Sequence, residues 1–137
     1  MPPIPREKTM SPLIAIAAVA AIQGQAPPAR PPGTERTDLQ RHDLSIPGWE
    51  SLQARVDFAP GASFPMHSHP GEEIIYVLNG TIEYDVEGEG AFTVKAGDVL
   101  FVPAGVFHSA RNSSEAPASE LATYVIEKGK PLVTLKR

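Results

Sequence analysis

The hydrophobic pattern of the chain is that of short strands from Gly48 onward. Across residues 52–58 every second residue is apolar and the residues between are polar. A period of two residues is that of a strand with one buried face. Further short strand-like stretches occur at residues 81–86, 91–95, 99–102, 106–108 and 121–126, separated by turn-forming residues. We therefore predict an all-β fold, either a sandwich or a barrel, without helices in this region.

The five residues that follow Glu73 are all apolar and end at Asn79-Gly80. This dipeptide predicts a hairpin turn, because both residues tolerate a positive φ. If Glu73 and every second residue after it face inward, then Ile74, Tyr76 and Leu78 face outward. An apolar outer face needs a cover, either another sheet of the chain or a second subunit. We favour a homodimer.

The N-terminal residues have a different composition from the rest of the chain. Two basic residues precede an uninterrupted apolar run at 13–22, and small residues follow it. This order is typical of a secretory signal peptide, which we predict at residues 1–26. The run is about half of the ~20 residues that a membrane-spanning helix requires, so we expect no stable membrane anchor. An ordinary helix is the alternative, and translation from Met10 would remove the basic start. We expect an exported protein, either periplasmic or secreted.

A proline-rich segment, PPARPPGTER at residues 27–36, follows the predicted cleavage point. Proline favours extended conformations and disrupts helices and central strands. We predict a linker here and a single folded domain at residues 37–137, a length that suffices for one hydrophobic core.

Composition excludes several classes of function. The 137-residue chain has no cysteine, which rules out disulfides, thiolate metal sites and cysteine nucleophiles. Its net charge is −4 and its basic residues are scattered, so we expect no nucleic-acid partner.

Three of the four histidines have a spacing that suits a metal site. His67 and His69 are two residues apart and would share one face of a strand. Glu73 stands at the head of the next strand, and His108 comes from a later one. A lone histidine is more often an ordinary polar residue, so the joint spacing carries the hypothesis. Imidazole and carboxylate ligands suit Fe, Mn, Ni, Cu or Zn.

Residues 61–80 resemble the first cupin motif, G-x5-H-x-H-x3-E-x6-G, and residues 97–112 resemble the second, G-x5-P-x-G-x2-H-x3-N. Every fixed position of both motifs is present. The resemblance is to small single-domain cupins of the quercetin-dioxygenase-like type. It implies a double-stranded β-helix, or jelly-roll barrel, with the metal inside. It also assigns the metal-ligand roles to His67, His69, Glu73 and His108. We expect Asn112 to cap a loop and His42 to lie on the surface.

The favoured function is an oxygenase or dioxygenase that acts on a small oxygen-chelating organic molecule, with Fe2+ as the expected metal and Glu73 as a catalytic base. Two alternatives stay open: a non-oxidative metal enzyme of the isomerase or decarboxylase type, and a module that binds a metal or small molecule without turnover. Mn2+, Ni2+, Cu2+ and Zn2+ are the alternative metals. The candidate substrate-pocket residues are Phe64, Met66, Phe101, Phe107, Tyr124 and Arg55.

Overall fold

Ten strands are formed by residues 28–137, the part of the chain that the computed structural model describes. The strands are β1 (Thr34–Asp43), β2 (Trp49–Phe58), β3 (Ser63–Ser68), β4 (Gly71–Asn79), β5 (Thr81–Val86), β6 (Gly90–Lys95), β7 (Val99–Val102), β8 (His108–Arg111), β9 (Ala118–Glu127) and β10 (Thr134–Leu135). These residues form no helix, and so none that is long and apolar enough to cross a membrane. The predicted signal peptide, residues 1–26, lies outside the described residues.

The strands form two five-stranded sheets, and every pairing is antiparallel. The first sheet has the order β1-β2-β9-β4-β7 and the second has the order β10-β3-β8-β5-β6. Strands that are adjacent in the chain therefore often belong to different sheets, as in a jelly roll. The all-β prediction is confirmed.

The core lies between the two sheets. In β2 every second residue from Leu52 to Phe58 is apolar and buried, as the alternating pattern predicted. Ile75 and Val77 of the first sheet and Ile82 and Tyr84 of the second are almost fully buried. Burial of one such side chain contributes about 1.5–3 kcal/mol, so this interface supplies much of the driving force for folding.

Asn79-Gly80 does not form the predicted hairpin. It joins β4 of the first sheet to β5 of the second, and only Gly80 has a positive φ, of 70°. A Cβ at Gly80 would lie 2.6 Å from the carbonyl oxygen of Pro117. Glycine is therefore needed where the chain crosses between the sheets, and the hairpin expectation was wrong.

The outward orientation predicted for Ile74, Tyr76 and Leu78 is confirmed, since these side chains are 41–46% exposed. On the neighbouring edge strand β7, Val99 and Phe101 are also exposed and pair with Tyr76 and Ile74. We call these five side chains the β4–β7 patch. No other part of residues 28–137 covers it.

Strand β1 was missed by the sequence analysis and begins at Thr34, inside the predicted linker at residues 27–36. Its side chains are almost all exposed, so it has no alternating apolar pattern. Pairing with β2 along nearly its whole length holds it in the sheet. At its start, the Thr34 hydroxyl donates a hydrogen bond to the carbonyl oxygen of Pro31.

Candidate metal centre

Strand pairing brings the first and last predicted ligands together. In the β3–β8 pair, His67 and His108 are directly opposite each other. Their ring centroids lie 4.3 Å apart. Residues 41 positions apart in sequence thus become neighbours through the antiparallel register.

His69 and Glu73 are positioned by the turn from β3 to β4. Glu73 is opposite Tyr124 of β9, which directs its carboxylate into the space between the sheets. At the start of β4, Gly71 approaches β9 so closely that a Cβ would lie 1.9 Å from the carbonyl oxygen of Val125. A residue with a side chain cannot occupy this position unless the two strands separate.

The four side chains form a compact buried cluster. The ligand nitrogens of His67, His69 and His108 all lie within 4.8 Å of one another. The Glu73 carboxylate oxygen Oε2 lies 3.2 Å from Nε2 of His69 and 2.9 Å from Nε2 of His108. All four residues are less than 10% exposed. The structure therefore brings together the residues predicted as ligands.

A backbone carbonyl fixes the orientation of each imidazole. Nδ1 of His67 lies 2.7 Å from the carbonyl oxygen of Pro65, and Nδ1 of His69 lies 2.7 Å from that of Leu132. Nδ1 of His108 lies 3.1 Å from the carbonyl oxygen of Val106. A carbonyl can only accept, so each Nδ1 donates its proton to the main chain, and Nε2 is the ring atom left to bind a metal ion.

This arrangement fits a bound cation. Nε2 of His69 and Nε2 of His108 both face the Glu73 carboxylate, and Nε2 of His69 and Oε2 of Glu73 are buried without a hydrogen-bond partner. Buried polar atoms without partners are costly. A divalent metal ion would satisfy these atoms together, since neutral imidazole and carboxylate are its ordinary ligands. The three histidines can hold such an ion.

The pKa shifts of His67 and Glu73 also suit a metal site. Burial, together with the neighbouring His108 and His69, lowers the pKa of His67 to about 3. Burial would by itself raise the pKa of Glu73, but contacts with His108 and His69 hold it well below its usual value. A neutral His67 and an ionised Glu73 are the forms that bind a metal.

The cluster lines a cavity of about 810 Å³. Two of the predicted pocket residues, Phe64 and Tyr124, also line it. The ring of Tyr124 packs edge-on against His69, with centroids 4.9 Å apart, and the Arg36 guanidinium lies 5.6 Å from its centre.

The structure places four of the predicted pocket residues elsewhere. Arg55 is exposed on the outer face of β2 and is ion-paired with Asp57. Phe101 is on the outer face of β7. Met66 lines a separate, smaller depression, and the Phe107 ring lies under the Lys136 ammonium group. Strand parity decides these positions, because a residue next to a ligand in sequence points away from it.

Several polar residues of the cavity were missed by the sequence analysis, among them Glu120 and Tyr84. Glu120 and Tyr84 both line it and are almost fully buried. The sequence could have indicated Glu120, because it lies four residues before Tyr124 on β9 and therefore faces the same side of the strand. Asn112 caps a loop as expected, since its amide donates to the carbonyl oxygen of Ala116. His42 is exposed.

Residues 54–124 match the Cupin_2 family, described as a cupin domain. Germin-like protein subfamily 2 member 2 of Arabidopsis thaliana is 38% identical over 87 residues, which are 58% of this chain and 40% of that protein. The chain thus spans less than half of the length of this curated relative.

Several solved structures that exceed 25% identity resemble the fold, and two of them are an oxalate oxidase and a DMSP lyase. An oxalate oxidase is 26% identical with a TM-score of 0.60, and the match covers 78% of this chain and 57% of that one. A DMSP lyase from Ruegeria pomeroyi is 28% identical with a TM-score of 0.58, covering 63% and 43%. Proteins with this fold therefore include both oxidative and non-oxidative enzymes.

Proposed function

This chain belongs to the Cupin_2 family of cupin domains, and from that membership we propose that it is a metal-dependent enzyme with one divalent transition-metal ion. The observation that carries the proposal is the buried cluster of three imidazoles that can bind a metal ion. We assign the ligand roles to His67, His69 and His108, with Glu73 as the fourth ligand. The short contacts of the Glu73 carboxylate with two of the imidazoles support its role.

We propose oxygenase chemistry on a small organic molecule with oxygen ligand atoms. The similarity to an oxalate oxidase supports oxidative chemistry, and the choice of an oxygenase rests on the resemblance to quercetin-dioxygenase-like cupins. A bound Fe2+ or similar ion would supply a centre for electron transfer at which substrate and dioxygen are held together. Fe2+ is the metal we propose, with Mn2+, Ni2+ and Cu2+ as alternatives.

The chain's own residues prepare this chemistry. Backbone carbonyls hold the imidazoles in the tautomer that binds metal, so little reorganisation is needed when the ion enters. Phe64 and Tyr124 form aromatic walls beside the cluster and limit the access of water. If the Glu73 carboxylate is released from the metal ion, it is a base beside the site, and we propose that it then accepts a proton from the bound substrate.

A non-oxidative reaction is the second candidate, supported by the similarity to a DMSP lyase. In that case the metal, Zn2+ included, acts as a Lewis acid and no dioxygen is consumed. Oxygen uptake separates the two candidates. Protein loaded with Fe2+ is incubated aerobically and anaerobically with a panel of small carboxylates, diketones and aromatic diols. Turnover coupled to oxygen uptake supports the oxygenase, whereas equal turnover without oxygen supports the Lewis-acid reaction.

We also propose that the protein is exported and forms a homodimer. Export is based on the signal-peptide pattern of residues 1–26, and mass spectrometry of the mature N-terminus tests it. The dimer is based on the β4–β7 patch, which lies at an open sheet edge. An apolar surface of this kind on an edge strand favours contact with a second subunit.

A further inference from the structure

A second polar site lies in the cavity, contributed by both sheets. Glu120 is on the inward face of β9, four residues before Tyr124, and is opposite Val77 of β4. Tyr84 is on the inward face of β5, opposite Ala110 of β8. The Tyr84 hydroxyl donates a hydrogen bond to the Glu120 carboxyl oxygen Oε2. Both side chains line the same cavity as the metal cluster.

Acidic side chains are rarely as buried as Glu120 unless they are paired. Glu120 is 4% exposed, and among residues 28–137 Tyr84 is the one side chain that hydrogen-bonds to its carboxyl group. A buried carboxyl with one partner costs free energy that an apolar pair of similar volume would not. A group that lowers stability and faces a cavity is more readily explained by ligand binding.

The surroundings of Glu120 favour its neutral form. Its pKa is raised to about 8, chiefly by burial and next by the nearby negative charge of Glu73, while the hydrogen bond from Tyr84 acts in the opposite direction. The hydroxyls of Tyr84 and Tyr124 are themselves neutral at physiological pH, because burial raises their pKa values well above the usual range. These surroundings therefore favour the protonated carboxyl of Glu120, which can donate a hydrogen bond to a ligand.

We propose that Glu120, oriented by Tyr84, is a second anchor point for the ligand of the metal site. It would donate a hydrogen bond to a carbonyl or carboxylate oxygen on the end of the ligand that does not bind the metal. The ligand class is therefore a small molecule with oxygen acceptors at both ends. This inference rests on the proposed metal function and goes beyond it by assigning the second end of the ligand.

The test compares ligands with one and with two carboxylates. Acetate, malonate, succinate and glutarate are titrated into Mn2+-loaded protein, and their dissociation constants are measured by calorimetry. The variants are Glu120→Gln, which keeps a hydrogen-bond donor, and the double variant Tyr84→Phe/Glu120→Leu. The double variant removes both polar partners and leaves no unpaired buried hydroxyl, so it is expected to fold. Mn2+ content and circular dichroism are recorded for every protein.

We expect at least one dicarboxylate to bind the wild-type protein about tenfold more tightly than acetate, which corresponds to one good hydrogen bond. The double variant should lose this advantage while its acetate affinity changes less than about twofold, and Glu120→Gln should keep part of it. An equal effect on acetate and dicarboxylates, or no dicarboxylate preference in the wild type, would overturn the anchor role. Failure of the wild-type protein to take up Mn2+ would instead overturn the proposed metal function, and the anchor with it.

Discussion

At the scale of single residues, the three candidate histidine ligands are oriented by hydrogen bonds to main-chain carbonyls. His67 and His108 each use the carbonyl two residues earlier in their own segment, whereas His69 uses that of Leu132, 63 positions away. The contacts of His67 and His108 are local, so they follow from the spacing of residues in the sequence. The Leu132 contact could not be predicted, because nothing in the sequence pairs the C-terminal segment with β3.

The sequence identified the cluster but not the rest of the cavity. A two-residue spacing and a motif are local signals, and they were sufficient for His67 and His69. The contact between Tyr84 and Glu120 depends on two strands from different sheets that meet across the core. Such a contact is decided by the packing of the sheets, and periodicity within one strand does not reveal its partner.

His108→Ala is expected to abolish tight metal binding. Loss of a group that hydrogen-bonds to a metal ligand costs about 10–100-fold in metal affinity, so loss of the ligand itself should cost more than 100-fold. Metal-induced stabilisation should disappear as well, since a metal at 100 times its dissociation constant adds about 2.7 kcal/mol. Chelator competition and thermal unfolding measure the two effects. His42→Ala, on an exposed histidine outside both motifs, is the matched control, and equal behaviour of the two variants would contradict the assignment.

Glu120→Gln is expected to change how stability depends on pH. The pKa of Glu120 is raised from 4.5 to about 8 on folding, chiefly by burial. Between these values the folded state binds more protons than the unfolded state, so this group lowers stability as pH rises. Glu73, Tyr84 and Tyr124 face Glu120, and all three are present in both proteins. Denaturant unfolding from pH 5 to pH 8 should show a growing stability advantage for the variant, and a constant difference would contradict the expectation.

At the scale of elements, close strand contacts position the ligands. Gly71 allows β4 to lie against β9, which places Glu73 opposite Tyr124. The C-terminal segment contributes in a comparable way, because β10 pairs with β3 at His67 and Ser68. Neither β1 nor β10 was predicted, since both strands are exposed and lack an apolar period. Their positions depend on the strands they pair with.

Removal of residues 130–137 is expected to weaken metal binding without removing a ligand. This change deletes the Leu132 carbonyl that accepts from His69 Nδ1, together with β10. Loss of a hydrogen-bond partner of a metal-binding histidine typically costs about 10–100-fold in metal affinity. Removal of Lys136 and Arg137 alone leaves Leu132 and serves as the control. If the longer truncation retained wild-type affinity while folded by circular dichroism, the positioning role of this segment would be refuted.

At the scale of the whole molecule, the two sheets of residues 28–137 enclose the candidate metal ligands and leave the β4–β7 patch uncovered. The two-residue period of a strand, counted from Glu73, predicted both faces of β4 correctly. Glu73 and Ile75 lie inside, whereas Ile74 and Tyr76 lie outside. The order of strands in the two sheets was not predictable from such local patterns. It followed only from the resemblance to cupins, since most pairings join strands far apart in sequence.

The β4–β7 patch is expected to mediate a homodimer. Tyr76→Glu combined with Phe101→Glu places two negative charges within the apolar surface and should convert the dimer to a monomer, because buried unpaired charges are costly. Sedimentation velocity measures the change. Ile46→Glu, at an exposed apolar residue outside the strands, is the control and should leave the mass unchanged. A wild-type protein that is monomeric at high concentration would refute the dimer.

The most direct test of the central claim is the amount of metal bound per chain. Mature protein purified from its own compartment, and again after stripping and reloading with Fe2+ or Mn2+, is analysed by elemental mass spectrometry. We expect close to one equivalent per chain in wild-type protein and almost none in His108→Ala. A folded wild-type protein that neither contains nor takes up a divalent metal ion would refute the metal site.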